Sequence, residues 1–381
     1  MIRLIELPFR EGFSMRRIAL LFGSVSLLSF CAVMSAQPYP NPQVHPGTAN
    51  QPQTIHLDVL VKDQAGMPID GIPQPFFKVL DNGQPQKLLS FKQVDPKDDP
   101  SAVHVLIVMD MINPGYDSVT WGREQLAEYL RQEGGSLRHR TSIAAMTEDG
   151  LQVMNGSTTD GNVLRAQLAN MSAHLRLVDQ DDGWTGLEQL FNQSIQQFAQ
   201  ILSIEQARPG RKLVLFISSG WPALGWWGSE EDLHAVQVDF DLIVGLTNTI
   251  RDARTAIYRL DPFELGGEHS GDHSTFYYQD FLKPVTNPKK ATYPCMELGV
   301  FAVHSGGRVM VTGKDITGEL NNAKRDGGAY YELTYATPPA GGPNEYHPIK
   351  VQVNQPGTFV QTIAGYYADP QAVGLKAKKK R

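Results

Sequence analysis

The chain has 381 residues, 41% hydrophobic and 19% charged, a balance that excludes disorder and fibrous repeats and fits one large domain or two to three smaller ones. Lys plus Arg number 34 against 40 Asp plus Glu, a formal charge of −6, and residues 37–375 alone hold 25 basic and 38 acidic side chains, net −13. A body so acidic repels anionic polymers, which sets nucleic acid aside as a partner.

Arg16 and Arg17 precede an apolar run from Ile18 to Val33 that closes on Met34-Ser35-Ala36, the order of a secretory signal peptide over residues 1–36. Cleavage is expected near Ser35 or Ala36, with Met15 as an alternative start. The competing reading is an uncleaved anchor, for which the run is at the short end. No other stretch is apolar enough to cross a bilayer, so no stable membrane span is expected after cleavage, and the expected location is secreted or periplasmic, in the cell envelope. Cleavage also removes Cys31 and leaves Cys295 alone, so no intramolecular disulfide forms and stability rests on a hydrophobic core. Cys295, in Tyr293-Pro294-Cys295-Met296-Glu297, reads as a semi-buried thiol at a helix start rather than a nucleophile.

Residues 37–53 are Pro, Asn, Gln and Gly with little to bury, a flexible leader. From Thr54 the chain alternates: Ile55, Leu57, Val59 and Val61 share one strand face, and Leu60 is the apolar exception on the other. Phe76 to Leu80 predicts a second strand, Asp81-Asn82-Gly83 a tight hairpin, and a return strand runs to about Val94. Residues 54–95 are therefore expected as a small β module, closed by a charged linker from Asp95 to Pro100.

The pattern then changes to long apolar runs. Val103 to Met109, Arg211 to Ile217 and Thr255 to Leu260 read as strands buried on both faces, with shorter strands at Ser142 to Met146 and Leu151 to Met154. Helical spacing covers Ser118 to Gln132, Asp160 to Asn170, Thr185 to Glu205, Asp239 to Arg254, Leu298 to Ser305 and Asp315 to Lys324. This alternation over residues 101–328 predicts a doubly wound α/β domain. Residues 329–368 return to β, with strands at Ala329 to Tyr335, Tyr346 to Val353 and Thr358 to Tyr366. They read either as an antiparallel extension of the main sheet or as part of a β module shared with residues 54–94. Gly266 to Lys290 reads as a long surface loop, and residues 369–381 as a basic tail.

Three places resemble the VWFA-related acidobacterial domain family of von Willebrand factor A-type proteins. They are Asp63-Gln64-Ala65-Gly66 through Gln86, the strands Val105 to Asp110 and Arg211 to Gly220, and the close formed by Tyr330 to Tyr335, His347 to Val351 and Gly365 to Ala368. The resemblance implies a von Willebrand factor A-like, mostly parallel sheet flanked by N-terminal and C-terminal β elements. It also implies a metal-ion-dependent adhesion site holding Mg²⁺ or Ca²⁺ at the carboxyl edge of that sheet. Asp110 matches the first position of that site, Ile112 and Pro114 replace its two serines, Thr185 fits its threonine, and Ser219 stands where an aspartate belongs. One carboxylate plus hydroxyls is a poor exchange for the hydration shell of Mg²⁺, so the site is degenerate, with weak or absent binding. The competing account makes Asp110 a cap at the strand end and Thr185 the N-cap of the long helix.

Other chemistry is thinner. Ser218-Ser219-Gly220 sits at a strand end without the leading glycine of a nucleophile elbow. His269 and His273 lie four apart among glycines, which argues for a solvated loop. Trp221, Trp226 and Trp227 follow the 211–217 strand and serve either as an anchor patch or as cover for the sheet edge. The expectation is a non-enzymatic module binding a protein or cell-surface ligand through Asp110, Asn113, Asp117, Thr185, Ser219, Trp221, Trp226 and Trp227. A secreted hydrolase using Ser219 or a His269/His273 metal site, and a structural envelope component without a discrete ligand, are the alternatives.

Overall fold

The computed structural model describes residues 54–154, 156–171, 183–222, 233–261, 278–311 and 315–369. The two ends of that span fold together. Strand β1 (Thr54–Lys62) pairs antiparallel with β12 (Tyr330–Ala336), Ile55 opposite Tyr335 and Val59 opposite Tyr331, and also with β14 (Phe359–Gln361). Strand β4 (Leu88–Val94) completes this sheet on the far side of β12. A second sheet has the order β15 (Gly365–Ala368), β13 (Glu345–Val353), β2 (Phe77–Asp81) and β3 (Gln84–Gln86). Leu57, Val79, Leu333, Tyr335, Val351 and Tyr366 fill one core with residues from both sheets. Of the two expectations for residues 329–368, the β module shared with the N-terminal strands is the one observed.

Two strands differ from expectation. The hairpin turns at Asn82 and Gly83, both with positive φ as a tight two-residue turn requires. Its return strand, however, ends at Gln86, and β4 crosses into the other sheet. Pro85 lies in the short edge strand β3, where a missing amide hydrogen breaks no ladder. The stretch expected as one strand at 358–366 likewise divides into β14 and β15, one in each sheet. Leu60, the apolar exception, belongs with Val103, Leu213 and Tyr330 to the core beneath the large sheet, so β1 is covered on both sides.

The large sheet runs β11 (Arg308–Val311), β10 (Thr255–Asp261), β9 (Arg211–Ile217), β5 (Val103–Asp110), β6 (Ser136–Thr147), β7 (Gly150–Val153). The first five are mutually parallel, while β7 and β8 (Thr158–Asp160) pair antiparallel with β6. Every residue of β5, β9 and β10 is buried, as helices on both faces require. On one face α3 (Gly183–Gln206), α4 (Leu233–Asp252) and α5 (Leu298–His304) place Phe198, Leu246 and Phe301 against Leu106, Val108 and Phe216. On the other, α1 (Tyr116–Arg131), α2 (Gly161–Ala169) and α6 (Ile316–Arg325) place Leu126, Leu164 and Leu320 against Val105, Ile107 and Leu215. The helix expected from Asp239 begins six residues earlier, at Leu233. Of the 266–290 segment, residues 278–290 contain two short 3-10 helices, Tyr278–Phe281 and Pro288–Lys290.

Buried charge joins the sandwich to the α/β part. The Asp326 carboxylate accepts from Lys62 Nζ of β1 at 3.3 Å and from the Tyr258 hydroxyl of β10 at 2.9 Å. Arg254 spans Asp58 of β1 and Glu332 of β12. Among the described residues no helix is long and apolar enough to cross a membrane.

Candidate functional site

Strand β5 ends on Asp110, and the parallel order puts that end beside the ends of β9 and β6 at one edge of the sheet. The side chain is buried. Its Oδ1 accepts the main-chain N–H of Ile112 at 3.0 Å and of Asn113 at 3.1 Å, folding the chain back over the carboxylate. Its Oδ2 accepts Asn113 Nδ2 at 2.9 Å and the Ser218 hydroxyl, just beyond β9, at 2.6 Å. Asn113 Nδ2 reaches on to Ser194 Oγ of α3 at 3.0 Å. One carboxylate thereby ties together β5, its following loop, β9 and α3. Burial pushes the Asp110 carboxyl above its ordinary range, opposed by the bonds from Ser218, Asn113 and Ile112.

The structure brings Asp110 and Asn113 together, but with Ser218 and Ser194 in place of Ser219 and Thr185. Ser219 is exposed, one residue past the serine that turns inward. Thr185 is exposed in the first turn of α3, nine residues before Ser194 and therefore roughly 13 Å from it along the helix axis. Asp117 is exposed in the first turn of α1, where its charge suits the helix N-terminus. Trp221 is 5% exposed and packs edge-on against Phe198, with ring centroids 5.2 Å apart. It belongs to the core under the rim and not to a contact face. Trp226, Trp227, His269 and His273 lie outside the described residues.

These residues do not fit a divalent cation. Both Asp110 oxygens are filled by four hydrogen-bond donors, and a cation would have to displace Ser218 and Asn113, while the described residues bonded to Asp110 offer no second carboxylate. Among the described residues no group of three or more His, Cys, Asp or Glu gathers into a ligand set.

Two buried clusters escaped the sequence. Ser142 Oγ lies 3.1 Å from His104 Nε2, and His104 Nδ1 lies 2.9 Å from Glu205 Oε2, the connectivity of a nucleophile, base and acid. All three side chains are buried at the opposite end of the strands. The relay holds β5, β6 and α3 together. His104, polar inside an apolar strand, was its only visible signal. The second cluster lies at the carboxyl edge, where Arg259 donates to Glu297 and Asp261, each at 2.7 Å. Gly220, with φ +97°, passes so close that a Cβ would sit 2.5 Å from Glu297 Oε1. Cys295 is a buried free thiol in the 3-10 turn Tyr293–Met296.

No family model matches the chain, and no curated protein sequence matches it. Among solved structures, the VWA domain of SpRpn10 is similar at 11% identity, covering 43% of this chain and 77% of that one, with a TM-score of 0.21.

Proposed function

We propose that the mature chain is an exported, non-enzymatic protein-binding module of the cell envelope. In this reading residues 101–328 form a von Willebrand factor A-like, doubly wound domain carried on the β-sandwich. It binds a protein or cell-surface ligand through the loop rim at the carboxyl end of the parallel sheet, without a bridging cation.

The observation that carries this reading is the saturation of Asp110. In an open α/β sheet the natural ligand position lies outside the carboxyl ends of the strands. Here the carboxylate at that position is spent on fixing the loop from below. Above it Tyr116 is 63% exposed, with Asp117 beside it and Ser219 also in solvent. A preorganised loop that presents an aromatic ring loses little entropy when it docks. Export rests on the basic and apolar order of residues 16–36.

Capture of partners from envelope extract on the immobilised mature chain tests the proposal. Capture is expected to survive EDTA and to fall with Tyr116→Ala combined with Asp117→Arg. Equal capture by that double variant would remove the rim, and dependence on Mg²⁺ would restore a cation to it.

A further inference from the structure

The large sheet ends at β11, and an open groove of about 460 Å³ runs along that end. Arg308, Val309 and Met310 line it from β11, Glu319 and Arg325 from α6, and residues 64–66 from the turn after β1. Side chains alternate between the two faces of a strand, so three consecutive residues share one groove only along the strand's free edge. In β11 alternate residues bond to β10, in a register that sets Tyr258 opposite Arg308 and Asp261 opposite Val311. The remaining residues direct their N–H and C=O groups away from β10. Among the described residues no strand pairs on that side.

The groove's charge runs against that of the molecule. Two arginines, Arg308 and Arg325, line it with one carboxylate, Glu319, which already accepts from Asn322 Nδ2 at 3.0 Å. Arg308 is 3.6 Å from Asp326 through one terminal nitrogen, and its Nε has no hydrogen-bond partner. The opposite wall is fixed in advance: Asp63 Oδ1 accepts the N–H groups of Ala65 and Met67 at 2.9 and 2.8 Å. A positive, prebuilt groove along an open strand edge on a chain of net charge −6 selects for an extended acidic segment.

We propose that this groove binds an acidic, extended segment of a partner protein, which adds a strand to β11 while its carboxylates pair with Arg308 and Arg325. The site uses none of the rim residues, so it stands or falls separately from the function proposed above.

A fluorescein-labelled peptide of alternating Glu and Val, its Lys and Val counterpart, and a Glu peptide interrupted by proline are titrated into the mature chain by anisotropy. The Glu peptide is expected to bind and the other two to fail. Arg325→Glu is expected to weaken binding about tenfold, and high salt to weaken it similarly. The Arg325 side chain is exposed and bonds only Asn322 among the described residues, so this variant keeps its fold, as circular dichroism will verify. Adding Arg308→Glu should abolish binding. Equal binding of the Glu and Lys peptides, tolerance of the proline, or indifference to Arg325→Glu would each overturn the proposal. Self-association that Arg325→Glu abolishes, without any peptide binding, would assign the groove to a second copy of the chain and overturn it as well.

Discussion

Ser218 donates a 2.6 Å hydrogen bond to the buried carboxylate of Asp110, joining the ends of two adjacent parallel strands. The same hydroxyl accepts the Gly220 N–H at 3.0 Å, so one side chain orders the turn that leaves β9 and anchors the loop that leaves β5.

Ser218→Ala removes both bonds and leaves the buried Asp110 carboxyl without that partner. A buried polar group left short of a hydrogen-bond partner costs about 1–3 kcal/mol. The melting temperature is expected to fall by several degrees, whereas Ser219→Ala, at an exposed position, should leave it unchanged. Calorimetry of the two variants beside the parent checks the contrast. Equal melting temperatures would mean that the inward serine does not hold the loop.

Saturation of Asp110 also predicts the response to metal. A ligand that binds only the folded state at a hundredfold over its dissociation constant stabilises by about 2.7 kcal/mol, an easily read shift. Millimolar Mg²⁺ or Ca²⁺ is expected to leave the melting curve where EDTA puts it. A rise reversed by EDTA and absent in Asp110→Asn would show that a cation displaces Ser218 and Asn113.

How far the sequence reaches is clear from particular residues. The run from Val103 to Met109 announces a strand covered on both faces because every position is apolar except His104, and the structure places it in the middle of the sheet. The sequence leaves the sandwich open between two arrangements, because a period of two tells which face a residue takes and never which distant strand it meets, as Ile55 meets Tyr335. At the end of β9 the inward serine stands one position before the expected Ser219. Ser218 and Ser219 are equivalent as letters, and only the last turn of backbone decides which one points inward. Ser194 is unreadable for another reason: it shares a helical face with the core residues Leu190, Phe198 and Ile201, and only the fold shows that its hydroxyl bonds both Asn113 and the Leu190 carbonyl.

Within the sandwich, Asp81 fastens the two sheets. It accepts the Tyr335 hydroxyl of β12 at 2.7 Å, and from its own sheet the Tyr366 hydroxyl at 2.8 Å and His347 Nδ1 at 2.7 Å. Of these three bonds the one from Tyr335 crosses between the sheets, and Tyr335→Phe, which deletes it, should cost about 1–3 kcal/mol. Asp81→Ala strands three buried groups at once and should cost more, about 3–5 kcal/mol. Urea unfolding of both variants gives the order, and a larger loss for Tyr335→Phe would contradict the hub.

His139 of β6 supplies a pH dependence that can be isolated. Burial, reinforced by the positive charges of Arg138, Lys324 and Arg211, lowers its pKa from 6.5 to about 4, and its Nε2 has no hydrogen-bond partner. Between those values the unfolded chain takes up a proton that the folded chain refuses, so stability falls as pH drops from 6.5 toward 4 and is unaffected by this group above 6.5. A shift of this size corresponds to about 3 kcal/mol at the acid end of the window. His139→Gln cannot take up that proton. It is expected to flatten the pH dependence of the urea midpoint between about pH 7 and about pH 4.5 relative to the parent, whatever its effect at neutral pH. Carboxylates titrate in the same window in both proteins, so only the difference between the two profiles reports on the histidine. Parallel profiles would mean that His139 is protonated as readily in the fold as outside it.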